Sequence, residues 1–502
     1  MNINDTTRAR RIGGSLLWSQ VGRFLDIGLG LLFSILVVRV LGPDDYAVYA
    51  VAWSIVNVAA LVASLGYGEL IPRFVPELAH AQGAVATLMR RLLIERFLIG
   101  LLLAGVVWAG VSPLALWTHT PPLAQVIALV GALAAVQGLW ELLVAFYTAT
   151  LRMRDQAGVR VLAQVTSVAL AVLLFWRFGV HVWIPLVAQL ASYLVSSVIY
   201  FAGARPALMA KGGPLALGAM RRFGGYVWLT NLATFGLASQ IDVLLIAALL
   251  SDSTQVSYYN VAVLLSGRLY TLLMGWTAVL VPSAAESRAA EGTRGLARSF
   301  DLYMKLNLAV LVPPLLFVAG WSGPLITLFF GKAYGPAALP LQVFAAFGCV
   351  SALAGANICH PLLYVADRQR ALLWLRIVAG ALNVALDLLL IPPFGAVGAV
   401  LGTSISNLAA HLVELGMLRQ MIGKSYPSAV ALKLLLGGML ALLPSFWLPD
   451  FDWLTLVIGG LLFASIFFIA IRVLRPLSGE DYATLERVMP RVKPIVRWFT
   501  AG

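Results

Sequence analysis

The residues of this chain best placed to do chemistry are charged and polar groups set inside long apolar runs. Arg23 lies near the middle of the first run, with Gln20 and Asp26 three positions to either side. Arg268 lies near the middle of a later run with no acidic residue within a helical turn. Arg376 stands seven positions before Asn383, and Asn383 four before Asp387, so the three share nearly one helix face. In the next run Thr403, Asn407, His411 and Glu414 follow at spacings of four, four and three. Asn231, Thr234, Ala238 and Asp242 mark another stripe, and Ser54, Asn57, Ser64 and Gly68 a fourth. A charge at the centre of a spanning helix costs about 3 kcal/mol, so such stripes point to a polar space inside the membrane. Arginine there suits an anionic group, and Asp, Asn and Thr oxygens suit a hard cation. The structural alternatives are local pairing (Arg23 with Asp26, Glu69 with Arg73, Gln137 with Glu141), snorkelling of Arg376, and helix packing through small and hydrogen-bonding residues.

Those stripes need helices to hold them. Of 502 residues, 61% are hydrophobic and 11% charged, and mean hydropathy is +0.90, which excludes an ordinary soluble domain. We count fourteen spanning segments; the first two are 13–41 and 46–71, the eighth 255–282, and the eleventh and twelfth 370–391 and 395–418. Net charge is +13, but the arginines and lysines cluster in alternate loops, so the balance reports topology rather than nucleic-acid binding. The other loops (GPDD, THTPP, SDS, IPPFG, PDFD) are short and nearly free of them. Both termini are therefore expected on the cytoplasmic side. Cys349 and Cys359 are ten residues apart on one helical run, too far for a disulfide. The five histidines form no HxxxH pair, so no metal framework is expected.

An internal repeat organises the spans. Tyr49-Ala-Val-Ala and Tyr259-Asn-Val-Ala each open a helix, and each is followed 23 residues later by a proline, Pro72 or Pro282. The offset of 210 residues covers six helices, an even number, so the copies share orientation. This predicts an all-α polytopic membrane protein with fourteen transmembrane helices. Two six-helix lobes, 1–203 and 223–420, are related by a pseudo-twofold along the membrane normal and joined by a cytoplasmic loop, 204–222. Segment 421–475 adds two helices, and 476–502 forms a basic cytoplasmic tail, whose Arg487, Arg491, Lys493 and Arg497 suit either an anionic lipid surface or solvent.

Two stretches carry a family resemblance. One is 371–415, ALLWLRIVAGALNVALDLLLIPPFGAVGAVLGTSISNLAAHLVEL; the other is VVRVLGPDDYAVYAVAWSIVNVAALVASLGYGELIPRFVPEL near the N-terminus. Both are similar to the polysaccharide flippases of the multidrug/oligosaccharidyl-lipid/polysaccharide (MOP) exporter superfamily. The resemblance implies a flippase, not an enzyme, that moves undecaprenyl-pyrophosphate-linked repeat units to the periplasmic leaflet of a bacterial inner membrane by alternating access. The product would be O-antigen, capsule or exopolysaccharide, with a polysaccharide polymerase and chain-length proteins as partners beside membrane lipids. Arg23, Arg268 and Arg376 would bind the pyrophosphate, and Gln20, Asp26, Asn57, Asn231 and Asn407 would line the cavity. Asp242, Asn383, Asp387 and Thr403 resemble the sodium site of the lipid II flippases. Three readings of that set stand: sodium coupling, proton coupling through Asp242 or Asp387, and a packing network. No other cofactor is expected.

Three other functions compete. A lipid II flippase or a multidrug exporter would share the fold. A polyprenyl-dependent membrane glycosyltransferase would use outer-side acids such as Asp44-Asp45, but the outer loops here are only a few residues long. Gly423-Lys424-Ser425 is not a phosphate loop, because Leu418 stands where its first glycine must be. The chain therefore supplies no ATPase of its own.

Overall fold

The computed structural model describes residues 3–78, 80–81, 83–237, 239–274, 277, 280–423, 426–448 and 453–476, without the side chains of 3–21, 23 and 111. Among these all regular structure is helical. Contacts divide the chain into two compact units, Met1–Ser257 and Tyr258–Gly502.

The first unit opens with α1 (Ile3–Ala63), which breaks at Gly42. There φ is 75° and ψ 172°, and Pro43 follows, so the hydrogen-bond ladder stops. At about 1.5 Å per residue a straight 61-residue helix would be some three times the ~30 Å of a bilayer core, so a break is required. Then come α2 (Tyr67–Leu78), α3 (Ala84–Ala109), α4 (Val111–Trp117), α5 (Leu123–Ala149), α6 (Met153–Phe178), α7 (Trp183–Leu208), α8 (Leu217–Ala233) and α9 (Ser239–Leu249). Inside a bilayer the hydrophobic effect does not drive helices together, so small residues and hydrogen bonds decide which pairs close up. On α3 and α5, Gly100 faces Ala135 and Gly131 faces Ala104, bringing the two backbones into contact. Tyr147 of α5 donates to the Tyr200 carbonyl of α7 (3.2 Å), and Tyr200 donates to the Gln156 carbonyl of α6 (3.0 Å).

The segment after α7 does not hang free. Thr87 Oγ1 donates to the Gly213 carbonyl (3.0 Å) and accepts from its amide (3.1 Å), and Arg90 donates to the Ala210 carbonyl (3.2 Å). Arg221 reaches Glu95 at 2.6 Å. Loop and α8 are thereby fastened to α3, and α8 and α9 belong to the first unit although the repeat assigns 223–250 to the second lobe. Next, α10 (Thr254–Leu273) is capped by Asp252, whose carboxylate accepts from the Thr254 hydroxyl (2.6 Å) and amide (3.0 Å). These bonds, the hydroxyl first, hold its carboxyl below the usual range.

The second unit holds α11 (Leu280–Glu291), α12 (Thr293–Gly320), α13 (Ser322–Phe330), α14 (Ala338–Leu353), α15 (Cys359–Val365), α16 (Gln369–Phe394), α17 (Ala396–Ile422), α18 (Ser428–Leu442) and α19 (Trp453–Leu474). The repeat is visible locally. A 12-residue helix, a left-handed glycine and a long helix occur as α2–Gly83–α3 and as α11–Gly292–α12. The turn expected at IPPFG is shorter than it looked: α16 runs through Pro392 and Pro393, and only Gly395 (φ 57°) breaks the chain. Gly398 then lies against the Leu390 carbonyl and Gly402 against Asp387, so α16 and α17 pack backbone to backbone. Cys349 and Cys359 are buried free thiols.

Eleven helices among the described residues are long and apolar enough to cross a membrane, and twelve if the bent pair 217–237 and 239–249 is one span. This is fewer than the fourteen expected. The first two expected spans fall within α1, where Phe24–Ala63 counts once. The eighth is α10, whose Gln255, Asn260, Ser266 and Arg268 dilute its apolar character. The tail 477–502 lies outside the described residues.

Candidate functional site

A polar cavity of about 330 Å³ lies inside the first unit, among α1, α2, α3, α5 and α8. Arg96 is its centre. This side chain is only 3% exposed, although it stands on a helix of mean apolar character. The close α3–α5 contact brings it to Glu141: Arg96 Nη2 donates to Glu141 Oε2 (3.3 Å) and to the Ala60 carbonyl (3.2 Å). Gly138 makes the room, since a Cβ there would fall 2.4 Å from Arg96 Nε. Gln137 Nε2 donates to Glu141 Oε1 (3.0 Å), completing a relay from amide to carboxylate to guanidinium. On the opposite wall Asn231 Nδ2 donates to Glu69 Oε1 (3.5 Å), and Asn57 Nδ2 donates to the Trp53 carbonyl of its own helix (3.0 Å). Three buried atoms of the lining have no hydrogen-bond partner among the described residues: Ser64 Oγ, Arg96 Nη1 and Gln137 Oε1.

The second unit contains a different cluster, where α15, α16 and α17 meet. Glu414, with 0% exposure, accepts from Arg376 Nη2 at Oε1 (2.8 Å). His360 Nδ1 lies 2.9 Å from the same oxygen, and His411 Nδ1 lies 3.4 Å from Oε2. A buried carboxylate would be very costly alone; the Arg376 charge and the two imidazoles satisfy it. Nearer the Gly395 break, Asn383 Nδ2 donates to Asp387 Oδ2 (3.0 Å), both residues being fully buried. A Cβ on Gly402 would fall 2.2 Å from Asp387 Oδ1, so the carboxylate rests against the α17 backbone one residue before the buried Thr403. Among the described residues no group of three or more His, Cys, Asp or Glu could hold a metal ion.

The structure sorts the sequence-derived residues as follows. Asn57 and Asn231 line the first-unit cavity. Arg160 of α6 pairs with Asp26 (3.7 Å), and Gln164 donates to it (3.3 Å). The side chains of Gln20 and Arg23 lie outside the described residues. Arg268 is half-buried and makes no ion pair among the described residues, whereas the charge of Arg376 is met by Glu414. Asn407 spends its amide on the Thr403 carbonyl (2.9 Å). Asp242 is fully buried in the first unit, while Asn383, Asp387 and Thr403 are in the second. The local Glu69–Arg73 pair does not form among the described residues; the Arg73 guanidinium sits over the Phe223 ring, 4.3 Å from its centroid. Sequence reading missed Arg96, and its signal was modest: an arginine between Glu95 and Phe97 near the start of an apolar stretch.

Comparison with known proteins adds the following. A sequence model of the family described as polysaccharide biosynthesis protein matches residues 36–339, more than half of the chain. Curated proteins give no match. Among solved structures, the lipid II flippase MurJ in an inward closed conformation superposes with a TM-score of 0.70 at 16% identity, covering 95% of this chain and 100% of that one. An inward-facing multidrug resistance MATE family transporter of the MOP superfamily gives 0.58 at 16% identity over 80% of this chain and 94% of that one. A MOP superfamily transporter from Pyrococcus furiosus, whose reverse polarity of binding pocket suggests a different function, gives 0.52 at 14% identity over 81% and 95%. At these identities the likeness speaks for the fold alone.

Proposed function

The chain belongs to the polysaccharide biosynthesis protein family, with the fold of MOP superfamily transporters, and from that premise we propose that it is a flippase for undecaprenyl-pyrophosphate-linked oligosaccharide repeat units. It carries them from the cytoplasmic to the periplasmic leaflet of a bacterial inner membrane for surface polysaccharide synthesis, opening to one side at a time while the lipid tail stays in the bilayer. The observation that supports this most is the first-unit cavity: an arginine, two glutamates and three amides set among apolar helices, a lining that a purely structural bundle has no reason to keep. With the termini in the cytoplasm, Ser64 follows the cytoplasmic end of α1, and Arg96 stands midway along α3.

Arg268 takes the pyrophosphate in this reading, because a guanidinium fork matches phosphate oxygens. Arg376 is left out because Glu414 already holds it. Asn383, Asp387 and Thr403 of the second unit offer the amide, carboxylate and hydroxyl oxygens that suit a hard coupling cation, sodium. The test is to delete the gene and identify by mass spectrometry the lipid-linked glycan that accumulates. Accumulation of a polyprenyl-pyrophosphate oligosaccharide is expected; an unchanged lipid pool would overturn the proposal, and lipid II in its place would redirect it.

A further inference from the structure

We propose that α15 is a movable link in the transport cycle: it pivots at the break 354–358, and Glu414 is the latch that holds it in the conformation described here. This rests on the flippase reading above and adds which element of the second unit moves.

The internal repeat supplies the comparison. α5 ends at Ala149, two residues before the left-handed Leu151 (φ 56°), and α6 starts two residues after it. α15 ends at Val365, two residues before the left-handed Asp367 (φ 62°), and α16 starts two residues after that. α5 is therefore the counterpart of α14 and α15 together. Yet α5 runs 27 residues unbroken, whereas α14 stops at Leu353 and the helix resumes only at Cys359. Between them Gly355 (φ 81°) and Asn357 (φ 68°) turn left-handed.

Backbone that leaves a helix inside a bilayer must find new hydrogen-bond partners. Here two other elements supply them. The Tyr426 hydroxyl, from the segment before α18, donates to the Leu353 carbonyl (2.8 Å), and Asn307 Nδ2 of α12 donates to the Ala356 carbonyl (3.1 Å). The break is thus braced from outside, as a pivot between two packed elements is.

α15 itself has seven residues, too few to be a stable helix alone. Polar ties hold both of its ends. At the far end Arg288 of α11 donates to the Val365 carbonyl and pairs with Asp367 (2.9 Å). That pair is exposed and contributes little. At the near end His360 Nδ1 meets Glu414 Oε1 at 2.9 Å. Glu414 keeps Arg376 and His411 when His360 leaves, so release does not strand a bare buried carboxylate. His360 is 39% exposed and can exchange its partner for water. The buried Leu362 and Leu363 resist the motion only weakly, because an apolar side chain leaving a helix interface in a bilayer meets lipid.

The experiment is hydrogen–deuterium exchange of the purified full-length protein in nanodiscs. Amides of 359–366 should exchange at least about tenfold faster than those of 143–150, their counterparts in α5, since local opening gives up one strong hydrogen bond. His360→Leu should speed 359–366 by about a further tenfold and leave 143–150 unchanged. Tyr426→Phe, which loosens the pivot and spares the latch, should act in the same direction. Adding undecaprenyl pyrophosphate should change the rate at 359–366. Equally slow exchange in the two segments would overturn the inference, and an unchanged rate in His360→Leu would remove the latch. A lipid response elsewhere in the protein but not at 359–366 would also overturn it while the flippase reading stands. No response to the lipid in any segment would sink the flippase reading, and the transport role of α15 with it.

Discussion

Glu414→Gln should destabilise the second unit far more than an ordinary surface substitution does. The wild-type carboxylate is fully buried and is met by Arg376 at 2.8 Å, His360 at 2.9 Å and His411 at 3.4 Å. Glutamine keeps the shape and removes the charge, leaving the Arg376 guanidinium uncompensated. Breaking one partner of a buried pair costs about 3–5 kcal/mol. Arg376 keeps 19% exposure and can recover some hydration, so the lower end, about 3 kcal/mol, applies here. At roughly 2–4 °C per kcal/mol for a unit of this size, the melting temperature should fall by about 6–12 °C. Replacing both partners, Arg376→Met with Glu414→Leu, should restore most of the loss, because two apolar side chains need no counter-charge. The assay is thermal unfolding of the detergent-purified single and double variants. A Glu414→Gln protein melting within ~2 °C of wild type, or a double variant whose loss is the sum of the two singles, would refute the reasoning.

Three further outcomes test the proposed function. Arg268→Ala should abolish glycan export with the protein still folded in the membrane, and Arg268→Lys should restore it only in part because lysine lacks the bidentate fork; full export by the alanine variant would remove Arg268 from the substrate path. Sodium chloride, but not potassium or choline chloride, should raise the melting temperature of the wild type, and Asp387→Asn should erase the difference; a melting temperature indifferent to the cation would eliminate sodium coupling. Cysteines placed at Asp44 or Ser253 should react with an impermeant thiol reagent added outside cells, and those at Arg154, Ala210 or Glu291 should not; labelling at Arg154 would break the topology.

How much was legible in the sequence depended on whether a partner lies on the same helix. Asn383 with Asp387, and Gln137 with Glu141, are four residues apart, and both pairs form. Helical spacing places such residues on one face without any knowledge of tertiary structure. The same rule misfired at Glu69–Arg73, where stacking on Phe223 of α8, 150 residues away in the chain, captured the arginine. Arg96–Glu141 and Arg376–Glu414 span 45 and 38 residues, and their pairing depends on which helix faces close up. Gly138, which makes room for Arg96, looks like a generic helix spacer until the opposing side chain is known. Asp26 illustrates the same limit: Arg160 on α6, 134 residues away in the chain, reaches it.

The fastening of 209–216 onto α3 bears on how this gene can be divided. From sequence, the basic segment between the two repeats is the obvious seam for expressing the protein as two polypeptides or for inserting a reporter domain. Yet Thr87 and Arg90 clasp that segment, and Arg221 is tied to Glu95. An interruption there would cut through an assembled part of the first unit. The better cloning junction is the short turn at Leu250–Ser253, just ahead of the contact boundary at Ser257. A first fragment ending there retains α8 and α9 on the helices that hold them, and the second starts at the Thr254 turn of a new helix.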